Sequence, residues 1–310
     1  MPARLRSASR CAAAVCSLAL AAATAPAPAG DAAPAKDGPK LAEPVTKGMR
    51  VFYCSHSFHV FMPAILQEML EAAGIKDQVK VGQSSIGGSK AIQHWNVPDE
   101  KNQVKPALRE GKVDLLSLAV VHLPDEGLEN FTKLALEHNP NIRITVQEFW
   151  LRWDIFEPTT KLAKGEKVDH NAITGEELRK RHAPYFQGWD GLIRELNKKY
   201  GKTVLFVVPA GQAVIALREK IIAGQAPGLK TQEDLFSDEL GHGKPPLEVL
   251  VSYCHFAVMY RRSPVGLPLP SSLAKMQNPD GEKLNRLLQE IAWQAAIQHP
   301  LSGLQADARP

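Results

Sequence analysis

Short apolar runs of strand composition alternate with segments of helical period along this chain, and that alternation restricts the architectures open to it. RVFYC at 50–54 is the first run, VKVGQ at 79–83 the second and VDLLSLAVV at 113–121 the third. IRITVQEF at 142–149 and TVLFVVPA at 203–210 follow. Between the first two, PAILQEMLEAAG sets Ile65, Leu66, Met69 and Leu70 on one helical face, with Gly74 placed to stop it. Pro124–His138 carries Leu128, Phe131, Leu134 and Ala135 as a stripe, and helical patterns recur near Trp189–Tyr200, in AVIALREKIIAG and near Glu282–His299. A helix between two strands carries the chain back to the start of the sheet, so successive strands run parallel. The third run is apolar on both faces, as in a sheet covered on both sides. The expected fold class is α/β, a three-layer α/β/α sandwich with a central parallel sheet. Residues 151–186 break the rhythm as a long charged insertion, read either as a lid or as a solvated surface segment.

The first 29 residues are expected to lie outside this domain. Arg4, Arg6 and Arg10 precede the short apolar run CAAAVCSLALAAA, and small-residue A-x-A sites end at Ala23 and Ala29. A basic start, a short apolar core and such a cleavage site have the form of a secretory signal peptide, which predicts a secreted or periplasmic protein. Residues 30–48, rich in Ala and Pro, read as a flexible linker, and 49–310 as the domain. No later run is long enough for a membrane span. Removing three of the 37 basic residues with the signal leaves 34 against 33 acidic, and no Lys/Arg run tracks a phosphate backbone, so nucleic acid is not an expected partner. Cys54 and Cys254 would be the remaining cysteines; each sits in an apolar segment, which favours two buried thiols over a disulfide.

Active sites on parallel sheets gather beyond the carboxyl ends of the strands, which directs attention to Cys54-Ser55-His56-Ser57-Phe58-His59 after the first run. A serine between a strand and a helix sits where helix amides stabilise negative charge. Gly87 and Gly88 after the second run leave the backbone open to a reacting oxygen. LFSDELGHG places Asp238, Glu239 and His242 in one polar turn, where a carboxylate can orient an imidazole that takes a serine proton.

In this order the blocks His56-Ser57-Phe58-His59, IGGSKAIQHW and LFSDELGHG with YCHFAVMYRRSPVGLP resemble the SGNH (GDSL-like) hydrolases over roughly residues 49–265. The similarity is to a secreted bacterial SGNH-like group in which the nucleophile block reads Asn/His-Ser-Phe/Tyr. The resemblance implies a flavodoxin-like sandwich, Ser57 as nucleophile, His242 as general base, and the amides of Ser57 and Gly88 in an oxyanion hole. Asp238 fits the family's aromatic-x-Asp pattern, while its Asp-x-x-His spacing selects Glu239. The third block departs from the family: Val121-His122-Leu123-Pro124-Asp125 stands where an Asn is usual, and His122 is the available donor.

The expected function is a serine esterase acting on an acyl ester carried by a carbohydrate, with no cofactor. The other reading is a catalytically silent SGNH-fold protein that binds a glycan or a partner protein. Gln147 and Trp150, at the end of the fourth run, are expected substrate contacts. His56 and His59 form the tightest histidine pair, but without a His-Glu-x-x-His or Cys-x-x-Cys pattern no metal site is expected. The oligomeric state is not written in the sequence.

Overall fold

A computed structural model describes residues 40–119, 121–155, 162–163 and 166–305; the expected signal peptide and residues 30–39 of the expected linker lie outside them. In chain order the elements are β1 (Arg50–Ser55), α1 (Met62–Ala72), β2 (Val79–Ser85), α2 (Ala91–Trp95), α3 (Val104–Arg109), β3 (Leu115–Ala119), α4 (Glu126–His138) and β4 (Arg143–Glu148). Then come α5 (Gly175–Lys199), β5 (Leu205–Pro209), α6 (Ala210–Ile222), α7 (Pro245–Tyr260), α8 (Ser271–Ala274) and α9 (Gly281–Gln298). The five strands form one sheet in the order β2-β1-β3-β4-β5, with every neighbouring pair parallel. Helices cover it to give the three-layer α/β/α sandwich: α1, α6, α7 and α9 pack together, as do α2, α3 and α4.

The burial pattern follows from that order. β3 and β5 are buried at every position and β1 and β4 at all but their first residue, as a sheet covered on both faces requires. β2 lies at the edge, with Val79, Lys80 and Ser85 exposed and the residues between half-buried. α7 has no amphipathic stripe: from Leu247 to Tyr260 each residue except Glu248 is buried, so the helix runs through the core rather than over it. Arg143 closes its end, donating from Nη1 to Met259 O (2.7 Å) and from Nη2 to Val258 O (2.9 Å). Cys254 of α7 and Cys54 of β1 are buried free thiols.

Two stretches differ from the sequence reading. α5 begins at Gly175 rather than near Trp189. Its first half, GEELRKRH, is charged and sparse in apolar residues, yet Leu178, His182, Tyr185, Trp189, Ile193 and Leu196 continue one buried stripe, and Thr174 caps the start by accepting from Glu177 N. Residues 40–48 run along the domain: Ala42 N donates to Leu304 O, Val45 N to Tyr260 O and Gly48 N to Lys76 O.

The segment after β4 is anchored by a buried charge cluster. Arg218 of α6 and Asp154 are each 1% exposed and meet in a two-pronged pair, Nη1–Oδ1 2.5 Å and Nη2–Oδ2 3.0 Å. His170 Nδ1 lies 2.8 Å from the same carboxylate, and Arg218 also donates to His170 O and to Gln232 Oε1. Burial alone would raise the Asp154 carboxyl, but the bonds from His170 and Arg218 outweigh it and bring it down to about 2. One guanidinium therefore fastens residues 154 and 170 to the loop that begins at Gln232.

Removing one partner of such a pair leaves an uncompensated buried charge. Arg218→Met is expected to lower the unfolding free energy by about 3–5 kcal/mol, with Asp154→Leu on the same chain recovering much of it. Urea unfolding of the single and double variants measures both; equal destabilisation by the single and the double change would contradict this assignment.

Candidate functional site

β1 ends at Ser55, and a four-residue turn, closed by His59 N and Val60 N donating to His56 O, leads to α1. The turn divides its polar residues between two directions. Ser55 and His59 point into the protein: Ser55 Oγ is 2.8 Å from His59 Nδ1, and His59 Nε2 is 3.1 Å from Ser117 Oγ on β3. Ser57 is half-exposed, at the carboxyl edge of the sheet. His56 accepts from Phe58 N at Nδ1 (3.1 Å), so its proton sits on Nε2, and burial pushes the ring down to about 3, keeping it neutral.

The glycine loop after β2 is drawn to the same edge. Ile86 N donates to Ser55 O at 3.0 Å. Gly88 has φ +58°, a left-handed conformation that suits glycine, and the space its Cβ would fill is open. No acceptor among the described residues takes the amide hydrogen of Ser57 or Gly88. His94 fixes the loop from behind, with Nδ1 2.7 Å from Ser84 Oγ and Nε2 2.8 Å from Ser89 Oγ. Burial lowers its ring to about 4, so it bridges the two serines as a neutral imidazole. Sequence reading gave His94 no role, because both partners are ordinary serines without a motif. Ser89 O in turn accepts from Val121 N (3.2 Å), joining the glycine loop to the third loop, where His122 is half-buried. Burial first, then Arg152 and Lys90, lower His122 to about 4.

Asp238 and His242 make a closed turn. Asp238 Oδ1 accepts from the amides of Gly241 (3.1 Å) and His242 (3.0 Å), while Oδ2 lies 2.6 Å from His242 Nδ1. Burial would raise this carboxyl, but its bonds to His242 and Gly241 lower it below the usual range. A carboxylate accepts, so Nδ1 carries the proton and Nε2 offers its lone pair. Of the two acids left open by the sequence, Asp238 is the one bonded to His242. Ser237 N donates to His242 O and Trp153 N to Leu240 O, which ties the turn to the segment after β4.

Gln147 and Trp150 are placed differently from the substrate contacts expected of them. Gln147 is fully buried; its Nε2 donates to Phe58 O (3.0 Å) and its Oε1 accepts from His255 Nε2 (2.8 Å). Trp150 is 1% exposed and donates from Nε1 to Gly241 O at 2.7 Å. Its ring stacks on Phe58, with centroids 4.7 Å apart and planes 4° from parallel, and Phe58 meets the His242 ring edge-on at 5.2 Å. Gly241 is at φ +100°, and an added Cβ would lie 3.4 Å from the indole nitrogen. The indole thus brackets the Ser57 turn and the Asp238–His242 turn. Ser57 and His242 approach through Phe58; no hydrogen bond joins the two side chains among the described residues.

Beneath the site, Glu148, Asp190 and His299 bring ligand-type atoms within 4.8 Å of one another. His299 Nδ1 accepts from Leu301 N (3.2 Å), so its Nε2, 3.4 Å from Asp190 Oδ1, faces the acids as a donor. A metal ion needs the lone pair of that nitrogen, where this one carries a proton. No hydrogen bond joins the three side chains among the described residues: Asp190 Oδ1 and Glu148 Oε2 have no hydrogen-bond partner, and Glu148 Oε1 accepts from Gln212 Nε2 (3.3 Å). Burial, then Asp190, push the Glu148 carboxyl well above its usual range.

No protein-family model matches the sequence, and no curated protein matches it. Among solved structures, a DUF4886 family protein from Bacteroides uniformis aligns with TM-score 0.53 at 14% identity, over 82% of this chain and 96% of that one. It shares the fold. A protein from Parabacteroides merdae, named as a candidate GDSL-like lipase, aligns with TM-score 0.36 at 18% identity, over 70% of this chain and 96% of that one.

Two outcomes follow from this geometry. Trp150→Phe keeps an aromatic ring on Phe58 but strands Gly241 O, and is expected to cost about 1–3 kcal/mol of unfolding free energy by urea titration. A carboxyl raised by folding stabilises the protein while protonated in both states, and that contribution is lost as pH rises above the unfolded value of about 4.3. Glu148→Gln is therefore expected to leave Tm near that of the parent at pH 4 and to raise it increasingly toward pH 8. A Tm difference independent of pH would contradict this assignment.

Proposed function

We propose that this chain is a serine ester hydrolase of the SGNH kind, exported by its first 29 residues and acting on an acyl ester carried by a carbohydrate. The observation that carries the reading is the Asp238–His242 turn: the 2.6 Å contact at Nδ1 leaves Nε2 free to act as a base, on the sheet edge that also presents half-exposed Ser57.

In this mechanism Ser57 Oγ bonds to the acyl carbon as its proton passes to His242 Nε2, and the carbonyl electron pair moves onto oxygen. The amides of Ser57 and Gly88, with His122 at the third loop, face that oxyanion. Collapse restores the carbonyl and breaks the bond to the alcohol oxygen, which leaves with the proton held by His242. Water then repeats the sequence on the acyl-serine, again through His242, and returns Ser57. Asp238 fixes the tautomer throughout, and Trp150 holds the two turns at a common edge. No cofactor enters these steps.

His122 in place of the family's third-block Asn favours a second reading, in which the same cleft binds a glycan or a partner protein without turnover. Acetate release from 4-nitrophenyl acetate and acetylated sugars separates the two. The parent protein is expected to turn over and to be labelled at Ser57 by a fluorophosphonate, and Ser57→Ala and His242→Ala to lose activity by about a thousandfold or more. A folded parent protein that neither turns over nor labels would overturn the hydrolase reading.

A further inference from the structure

A groove of about 610 Å³ opens between the start of α4 and the middle of α5, within the range of about 300–1,000 Å³ that ligand clefts occupy. Its form follows from the sequence of α5, where Gly188, Gly191, Leu192 and Leu196 recur at steps of three and four and so share one helical face. Half-buried Leu123 and Leu192 and buried Leu196 give the groove an apolar floor. A Cβ on Gly188 would lie 2.8 Å from Leu123 Cδ1, so the bare backbone there lets Leu123 rest against the helix. Gly191 is different: the space its Cβ would fill is open, on the side where the groove lies. Glycine weakens a helix interior relative to alanine, and at Gly191 no described neighbour requires it; what its missing side chain provides is room.

The groove begins where the catalytic loops end. Leu123 and Pro124, at its mouth, directly follow His122. Lys90, two residues after Gly88, donates to Pro124 O (3.0 Å), and Asp125 accepts from the amides of Ala91, Ile92 and Gly127. The glycine loop and the groove wall are thereby fastened together. Of the acids beside the groove, Asp125 is engaged by those amides, Glu129 pairs with Lys199, and Glu126 and Glu195 are exposed at the rim, which leaves the floor uncharged. The wall from α4 belongs to the layer of α2, α3 and α4, whereas the Asp238–His242 turn leads into α7 in the other layer.

We propose that this groove holds the acyl chain of the ester, so that the substrate carries a chain longer than acetyl. The inference rests on the hydrolase reading of Ser57 and His242. The side of the ester follows from the chemistry: His242 hands its proton to the departing alcohol, so the alcohol lies toward the Asp238–His242 turn. The carbonyl oxygen faces the amides of Ser57 and Gly88. The remaining substituent of the acyl carbon is the chain, which lies away from His242, toward the third loop and the groove that starts there. Methylenes laid against Leu123, Leu192 and Leu196 leave water, which supplies affinity without any polar contact.

Two ester series test this. 4-Nitrophenyl acetate, butyrate and hexanoate vary the acyl chain under one alcohol, and ethyl, butyl and hexyl acetate vary the alcohol under one acyl group. A methylene taken fully out of water is worth about fourfold, and an open groove takes it out in part, so the parent protein is expected to favour hexanoate over acetate by about tenfold or more in kcat/KM. Gly191→Leu fills the open space and is expected to reduce that ratio about tenfold, whereas Gly191→Ala keeps most of it; both variants are expected to melt no lower than the parent. Ser57→Ala supplies the arm that does not depend on turnover: ligand-observed NMR binding of methyl hexanoate against methyl acetate, repeated with Ser57→Ala/Gly191→Leu. No turnover by the parent, with a chain-length preference in binding that Gly191→Leu removes, would overturn the hydrolase reading while supporting the groove. No preference in either arm, an equal loss on short and long chains, or a Gly191→Leu effect on the alcohol series instead would overturn the assignment of the groove to the acyl chain.

Discussion

Parallel pairing of all five strands is the constraint on which the other features rest. It requires covering helices on both faces, and it sends every strand exit to one edge. Ser57, Gly88, His122 and the segment after β4 therefore share a neighbourhood although they are spread over a hundred residues of sequence. The helical C-terminal half then adds what the sheet lacks, the Asp238–His242 turn, which leads straight into buried α7.

Bringing these loops to one edge does not by itself give them a fixed geometry, and much of the buried polar structure supplies it. Gln147 grips the carbonyl of Phe58, and Trp150 stacks on its ring and bonds Gly241. His94 spans Ser84 and Ser89, and Arg218 fastens the segment after β4. Most are neutral groups whose bonds are satisfied inside the protein, where low polarity makes each bond worth more and each loss more costly. They act as fasteners between loops, at positions a residue or two from the groups that face the cleft.

The strands were legible because buried parallel strands are continuous runs of Val, Ile, Leu and Phe, as at Leu115–Ala119 and Leu205–Pro209. The first half of α5 was not, since its stripe is spaced through Lys, Arg and Glu and includes His182, whose burial depends on a bond to Leu151 N. α2 and α3 are too short for a helical period to register. Within the site, Ser57, His242 and Asp238 stand out because their chemistry is local to short blocks. The parts played by Gln147 and Trp150 were invisible, because their partners His255 and Gly241 lie far away in sequence and nothing in a glutamine or tryptophan names the residue it will meet. What read as contacts with a ligand are contacts with the protein's own frame.

The two thiols carry a consequence of their own. Cys54 lies on β1, three residues before Ser57, and Cys254 on α7; burial raises both thiols far above their ordinary range, so neither is a nucleophile while the domain is folded. An opened chain loses that protection and exposes two reactive sulfurs at once. In an oxidising compartment, mispairing there would trap the chain with the first strand and the core helix mislinked, so survival depends on how seldom the domain opens as well as on its equilibrium stability. Chemical inertness at these two positions is thus a property of the closed sheet rather than of the cysteines.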